Sequence, residues 1–154
     1  ALEAGPRLPE ALAGFGLSRA LPLDVPTAAG IEAAGVYLAI RDVVRQEGLA
    51  ALAFGCYPDF MGCACLAASL LADEGIPVGC EGDVNTAVGQ LMLTWLTGEA
   101  THNTDWLDPL PDGSVVFTHC GSGSYRLAAR REDITLHGVD ECLPLLGLDN
   151  DPTQ

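Results

Sequence analysis

Lysine is absent from this chain. Its seven basic residues are all arginines, set against 21 acids, and the formal net charge is −14. A surface of that sign repels phosphate backbones and anionic headgroups, which argues against nucleic-acid and membrane-surface roles. Acidity of this kind is more often a matter of solubility than of function, although gathered carboxylates can recruit a divalent cation. Charged residues are scarce, at 18% against 49% hydrophobic, which is the composition of a buried globular domain and not of a disordered segment. No uninterrupted apolar run is long enough to span a bilayer. The N-terminus lacks the basic stretch and apolar core of a signal peptide. It begins at Ala1 and not at Met, which reads as a processed, trimmed or excised chain. Neither G-x-G-x-x-G nor G-x-x-x-x-G-K-[ST] follows a strand-like run. "GSGS" (121–124) has no lysine, so a nucleotide-binding domain is a poor reading.

What is present includes six cysteines: Cys56, Cys63, Cys65, Cys80, Cys120 and Cys142. An even number invites a disulfide framework. The Ala- and Leu-rich chain has enough apolar residues for a core and no secretion signal, so reduced thiols in a cytoplasmic protein are expected instead. Most of these cysteines sit in apolar runs and read as small buried hydrophobes. Cys63 and Cys65 form C-x-C, with no second pair at zinc-finger spacing, and a structural zinc site is not expected.

Proline punctuates residues 1–27, which read as a lead-in with a short helix near 9–15. A long helix is predicted over 28–46, where Ile31, Ala34, Leu38 and Val43–Val44 recur near helical spacing and Gly48 follows as a stop. "GLAALAFGCYP" (48–58) reads as a buried strand. "DFMGCACLAASLLADEGIP" reads as a helix ended by Gly75 and Pro77, and "IPVGCEG" as a second strand. "DVNTAVGQLMLTWLTG" reads as a third helix with Asp83 as N-cap and Gly98 as stop. "SVVFTHCG" (114–121) is a further strand, and "DITLHGV" (133–139) another. Alternating helices and strands imply βαβ crossovers. The expected fold is an α/β three-layer sandwich with a mostly parallel sheet and flanking helices, forming one domain over 28–148, with 149–154 as a tail. There is no internal repeat.

Parallel sheets bind ligands beyond the carboxyl ends of their strands. Glu81 stands at such an end, between Gly79 and Gly82, which permit close backbone approach. Asp83, two residues on, has the structural task of capping the next helix. His102, Asp105 and Asp108 lie in "THNTDWLD", read as a loop, and His119 ends the strand "FTHCG". If the strands are neighbours, Glu81, Asp105 and His119 meet at one end of the sheet. Two carboxylates and an imidazole suit Mn²⁺ or a similar divalent ion better than structural zinc. Against this stand the common structural roles of a strand-end histidine and of an aspartate capping a turn. Trp95, among apolar helical neighbours, is expected in the core.

In this order "GCYPDF", "LADEGIPVGCEGDVNTAVGQLMLTWLTG", "TDWLD" and "FTHCG" resemble the L-fucose isomerase / L-arabinose isomerase family, over about Ile31 to Leu127. The resemblance implies a metal-dependent aldose–ketose isomerase acting on a small sugar through an enediol. It implies Mn²⁺ or another divalent metal held by Glu81, Asp105 and His119, with Glu81 or Asp105 carrying the proton. It also implies a trimer or hexamer in a longer enzyme, with a sheet domain before this region and a barrel-like domain after it. Family members have a further active-site histidine for which His137 is a poor match, and "GSGSYRL" departs from their Pro-containing turn. The competing reading is a non-catalytic sugar- or metal-binding module, or an inactive excised domain.

Overall fold

The computed structural model describes residues 27–130, with side chains from residue 32 onward. The lead-in, the strand expected over 133–139, His137, Cys142 and the tail lie outside the described residues.

Helix α1 runs Thr27–Glu47. Ala34, Tyr37, Leu38 and Val44 recur at helical spacing and are buried on one face. Strand β1 is only Leu52–Ala53, and helix α2 follows over Cys63–Asp73. Nearly every residue of α2 is buried, as expected of a helix apolar on all sides. Strand β2 (Val78–Gly79) leads into a one-turn 3₁₀ segment, Cys80–Gly82, and then helix α3, Val84–Thr97. Strands β3 (Asp105–Pro109) and β4 (Val115–Thr118) precede a second 3₁₀ turn, Tyr125–Leu127.

Strands β1 and β2 are parallel, with Leu52 opposite Val78 and Ala53 opposite Gly79. Phe54 N–H donates to the Gly79 carbonyl (2.9 Å), and Gly82 N–H donates back to the Phe54 carbonyl (3.0 Å). The two strands therefore end at the same level. Between α1 and α2, Tyr37, Leu38, Ile40 and Val44 pack against Ala67, Ala68, Leu70 and Leu71, with Val78 of β2 beneath them. Tyr37, Leu70 and Leu71 are fully enclosed, and burying side chains of this size contributes roughly 1.5–3 kcal/mol each. The Tyr37 hydroxyl donates to the Glu74 carboxylate, which ties α1 to the end of α2. Burial, reinforced by that bond, pushes the phenol pKa up.

The chain is thus mixed α/β. It departs from the sequence expectation in its later strands. Residues 105–109 form a strand and not a loop, and β3 pairs antiparallel with β4, with Asp105 opposite Thr118 and a bulge between Trp106 and Asp108. The turn over 110–114 explains why. Gly113 takes a left-handed φ of 87°, and Asp112 accepts from Ser114 N–H (2.9 Å), closing a hairpin in place of a crossover. Two two-stranded sheets result among the described residues, one parallel and one antiparallel. Trp95 also departs from expectation. It is 71% exposed, on a stripe of α3 with Val84, Val88 and Met92 that faces away from the α1–α2 core.

Candidate functional site

The segment after β2 is built around two close approaches. Gly79 lies so near the first turn of α3 that a Cβ there would press on the Asp83 carbonyl and sit 3.0 Å from Ala87 Cβ. Asp83 caps α3. Its carboxylate accepts from Thr86 N–H (2.9 Å) and Thr86 Oγ1–H (2.7 Å), and these bonds lower its pKa. Gly98 closes the helix in the left-handed conformation, φ 74°. Both caps are as the sequence predicts. Between β2 and the cap, Glu81 adopts φ 57°, ψ 21°, a left-handed backbone that few residues other than glycine occupy. Its side chain is exposed at the carboxyl end of the parallel pair.

The hairpin supplies the other candidates. His119 follows β4 directly and is almost enclosed, while Asp105 opens β3 and is exposed. His119 Nε2 stands 3.9 Å from Asp105 Oδ2. The opposite ring nitrogen, Nδ1, is 3.2 Å from Ser122 Oγ and 3.2 Å from Cys120 Sγ. The ring is therefore oriented from behind, with Nε2 turned toward the carboxylate. His102 stacks edge-on to His119 at a centroid distance of 6.5 Å and lies against Gly123, where a Cβ would meet its ring at 2.8 Å. Burial, and then the neighbouring His119, lowers the His102 pKa. The loop behind His119 is anchored in turn. Ser124 donates to Asp73 at the end of α2, and Arg126 Nε pairs with the same carboxylate at 3.4 Å. The structure thus brings His119 and Asp105 together. Asp108 pairs with Val116 further along the hairpin.

The feature that sequence spacing missed is a cluster of thiols. Cys56 Sγ is 3.3 Å from Cys80 Sγ, Cys80 is 3.8 Å from Cys120, and Cys65 is 3.7 Å from Cys120. Each of Cys56, Cys80 and Cys120 comes shortly after a strand ("AFGC", "VGC", "FTHC"), and Cys65 lies in the first turn of α2. A search for cysteine pairs close in sequence cannot find them. The signal available was that three of the four strands among the described residues are followed within three residues by cysteine. All five described cysteines are free thiols, and Cys56, Cys65 and Cys80 are buried, as their apolar surroundings predict. Hydrogen bonding to Cys120 brings the Cys80 pKa down to about 6 and that of Cys65 down to about 7. Burial pushes Cys56 up to about 11, and bonding to Cys65 and Cys80 raises Cys120. Among the described residues, Cys80, His119 and Cys120 form a group whose donor atoms all lie within 4.8 Å of one another. Glu81, beside Cys80 in sequence, stands outside that group, with its backbone amide facing the Cys56 and Cys80 sulfurs.

The chain is similar to several proteins named sulfoquinovose isomerase. Over 96 residues, 58% of this chain, it is 35% identical to the sulfoquinovose isomerase of Alkalicoccus urumqiensis, of which 22% is covered. The sulfoquinovose isomerase of Priestia aryabhattai is 36% identical over 98 residues (58% of this chain, 21% of the relative). That of Clostridium sp. (strain MSTE9) is 33% identical over 99 residues (60% and 22%). The chain spans about a fifth of the length of the curated relatives it matches. These relatives are named as isomerases of a sugar other than L-fucose or L-arabinose, so the resemblance holds at the level of a sugar isomerase and not of the sugar. No family model and no solved structure matches.

Proposed function

We infer that this chain carries the metal-binding part of an aldose–ketose sugar isomerase. The observation that carries the reading is the pair formed by His119 and Asp105, close to the strand end that bears Glu81. A separation of 3.9 Å between Nε2 and Oδ2 is one that two ligands reach when each lies roughly 2.1–2.3 Å from a shared cation. By donor type Asp105 and His119 suit a hard-to-borderline divalent ion such as Mn²⁺, with Glu81 as the third ligand that the family resemblance adds and water or sugar oxygens completing the shell. The left-handed backbone at Glu81 supports a functional role for that residue, because such strain concentrates at sites where a side chain must be aimed.

A divalent cation held by Asp105, His119 and Glu81 would supply Lewis acidity toward the carbonyl of an open-chain sugar. The chain's own groups do the rest. One of the two carboxylates, Glu81 or Asp105, carries the proton between C1 and C2. Ser122 and Cys120 hold the His119 ring from its Nδ1 side, so that Nε2 faces the Asp105 carboxylate. The relatives' name points to sulfoquinovose, a sulfonated sugar, as the substrate class. The flanking parts of a longer enzyme and a homo-oligomeric partner supply the remaining walls, and a three-layer sandwich arises when further strands extend the β1–β2 pair.

Calorimetric titration of Mn²⁺ tests the reading. Glu81→Gln removes one charge while nearly keeping shape, so affinity falls about tenfold, the effect of losing one ligand. Asp83→Asn leaves affinity unchanged, because asparagine also caps helices. Equal binding by wild type and Glu81→Gln rules out Glu81 as a ligand.

A further inference from the structure

Apart from Cys120, which orients His119, the thiol cluster is not used in the isomerase reading above. Packing alone accounts for buried cysteines one at a time. It does not account for sulfurs converging from two strand ends and a helix upon one side of an imidazole. The distances point elsewhere. Zinc–sulfur bonds of about 2.3 Å at tetrahedral angles put two sulfurs about 3.8 Å apart. Cys80 and Cys120 stand at 3.8 Å, and Cys65 and Cys120 at 3.7 Å. His119 Nδ1, 3.2 Å from Cys120 Sγ, lies on the same side.

We propose that Cys80, Cys120 and His119 Nδ1 form a second metal site, selective for a thiophilic d¹⁰ cation such as Zn²⁺. The site is preformed. Cys80 is buried in a cluster with Cys56 and Ala64, and the His119 side chain is 7% exposed, so little solvent has to be cleared from the ligand atoms. Asp105, beyond Nε2, then takes the place of the outer carboxylate that commonly orients a zinc-binding imidazole. The sulfur ligands set the site apart from the carboxylate side, since thiolates favour Zn²⁺ and carboxylates favour Mn²⁺. One neutral imidazole serves one cation. Filling the thiol side through Nδ1 leaves the proton on Nε2, so Zn²⁺ withdraws His119 from the carboxylate side and weakens Mn²⁺ binding there. The site itself stands whether or not the isomerase reading does.

Cobalt(II) titration of the whole chain, kept reduced by a phosphine, reads the site without any activity assay, because sulfur-to-cobalt charge transfer absorbs in the near ultraviolet. Wild type is expected to develop this band with one Co²⁺ per chain and to lose it when Zn²⁺ is added. Cys120→Ser halves the band and weakens binding at least tenfold, whereas Cys63→Ser, outside the cluster, leaves both unchanged. Glu81→Gln also leaves the band unchanged while weakening Mn²⁺, so that failure of the thiol site and failure of the isomerase reading are distinguishable. X-ray absorption of the zinc-loaded wild type, which does not depend on any variant folding, is expected to show sulfur in the first shell. A shell of oxygen and nitrogen alone, no charge-transfer band in the folded wild type, or equal loss in Cys63→Ser overturns the proposal.

Discussion

Replacing Gly79 by alanine adds one methyl group at the most crowded point of the β2–α3 junction. The new Cβ falls inside the van der Waals envelope of the Asp83 carbonyl oxygen, 3.0 Å from Ala87 Cβ and 3.1 Å from the Ala87 nitrogen. All three neighbours belong to the first turn of α3 or its cap. Two are backbone atoms, and none is the far end of a flexible side chain that can swing aside. The Asp83 carbonyl also accepts the Ala87 N–H at 3.1 Å, so moving it strains the first bond of the helix. Overpacking of this kind costs about 3 kcal/mol. At roughly 3 °C per kcal/mol for a chain of this length, Tm falls by about 9 °C. Gly89, one turn and a half further along α3, supplies the control. Nothing lies within 4 Å of its hypothetical Cβ. Gly89→Ala therefore raises helix propensity and stabilises by about 0.5–1 kcal/mol. Differential scanning calorimetry of the two variants is expected to give shifts of opposite sign. A neutral or stabilising Gly79→Ala would refute the close approach that holds Cys80 and Glu81 against the helix.

Leu71→Ala removes a fully buried side chain between α1 and α2 and destabilises by about 3 kcal/mol, read as a lower urea midpoint at unchanged slope. Asp83 gives an acid dependence. Its folded pKa is lowered by bonds from Thr86, so its contribution is fully present above the ordinary aspartate pKa of 3.8 and is lost as pH falls through the folded value. Thermal melts of Asp83→Asn should therefore match wild type at neutral pH and drop less steeply below pH 3.8.

The parts of the fold legible in the sequence are those governed by neighbours along the chain. Asp83 and Gly98 mark the ends of α3 because capping is decided within one turn. Gly75 and Pro77 likewise follow the end of α2. The hairpin was not legible, because Asp105–Pro109 becomes a strand only through pairing with Val115–Thr118, and "TDWLDP" carries acids and a proline that argue locally for a loop. The same holds for Trp95, since a helical apolar stripe predicts burial without saying against what. At the candidate site, chemical type identified Asp105 and His119, and the fold brought them to 3.9 Å. The cysteine pairs in contact are 24, 40 and 55 positions apart along the chain, so no local spacing rule joins them, and only the tertiary fold does.

The isomerase reading stands on one cation shared by Glu81, Asp105 and His119. Pulsed electron paramagnetic resonance of Mn²⁺ bound to the chain tests this most directly, because an imidazole ligand imprints a nitrogen coupling on the manganese echo. Wild type is expected to show the coupling, and His119→Gln to lose it while retaining the carboxylate-bound ion at lower affinity. A manganese echo without nitrogen in the wild type, or with the same nitrogen in His119→Gln, would contradict it.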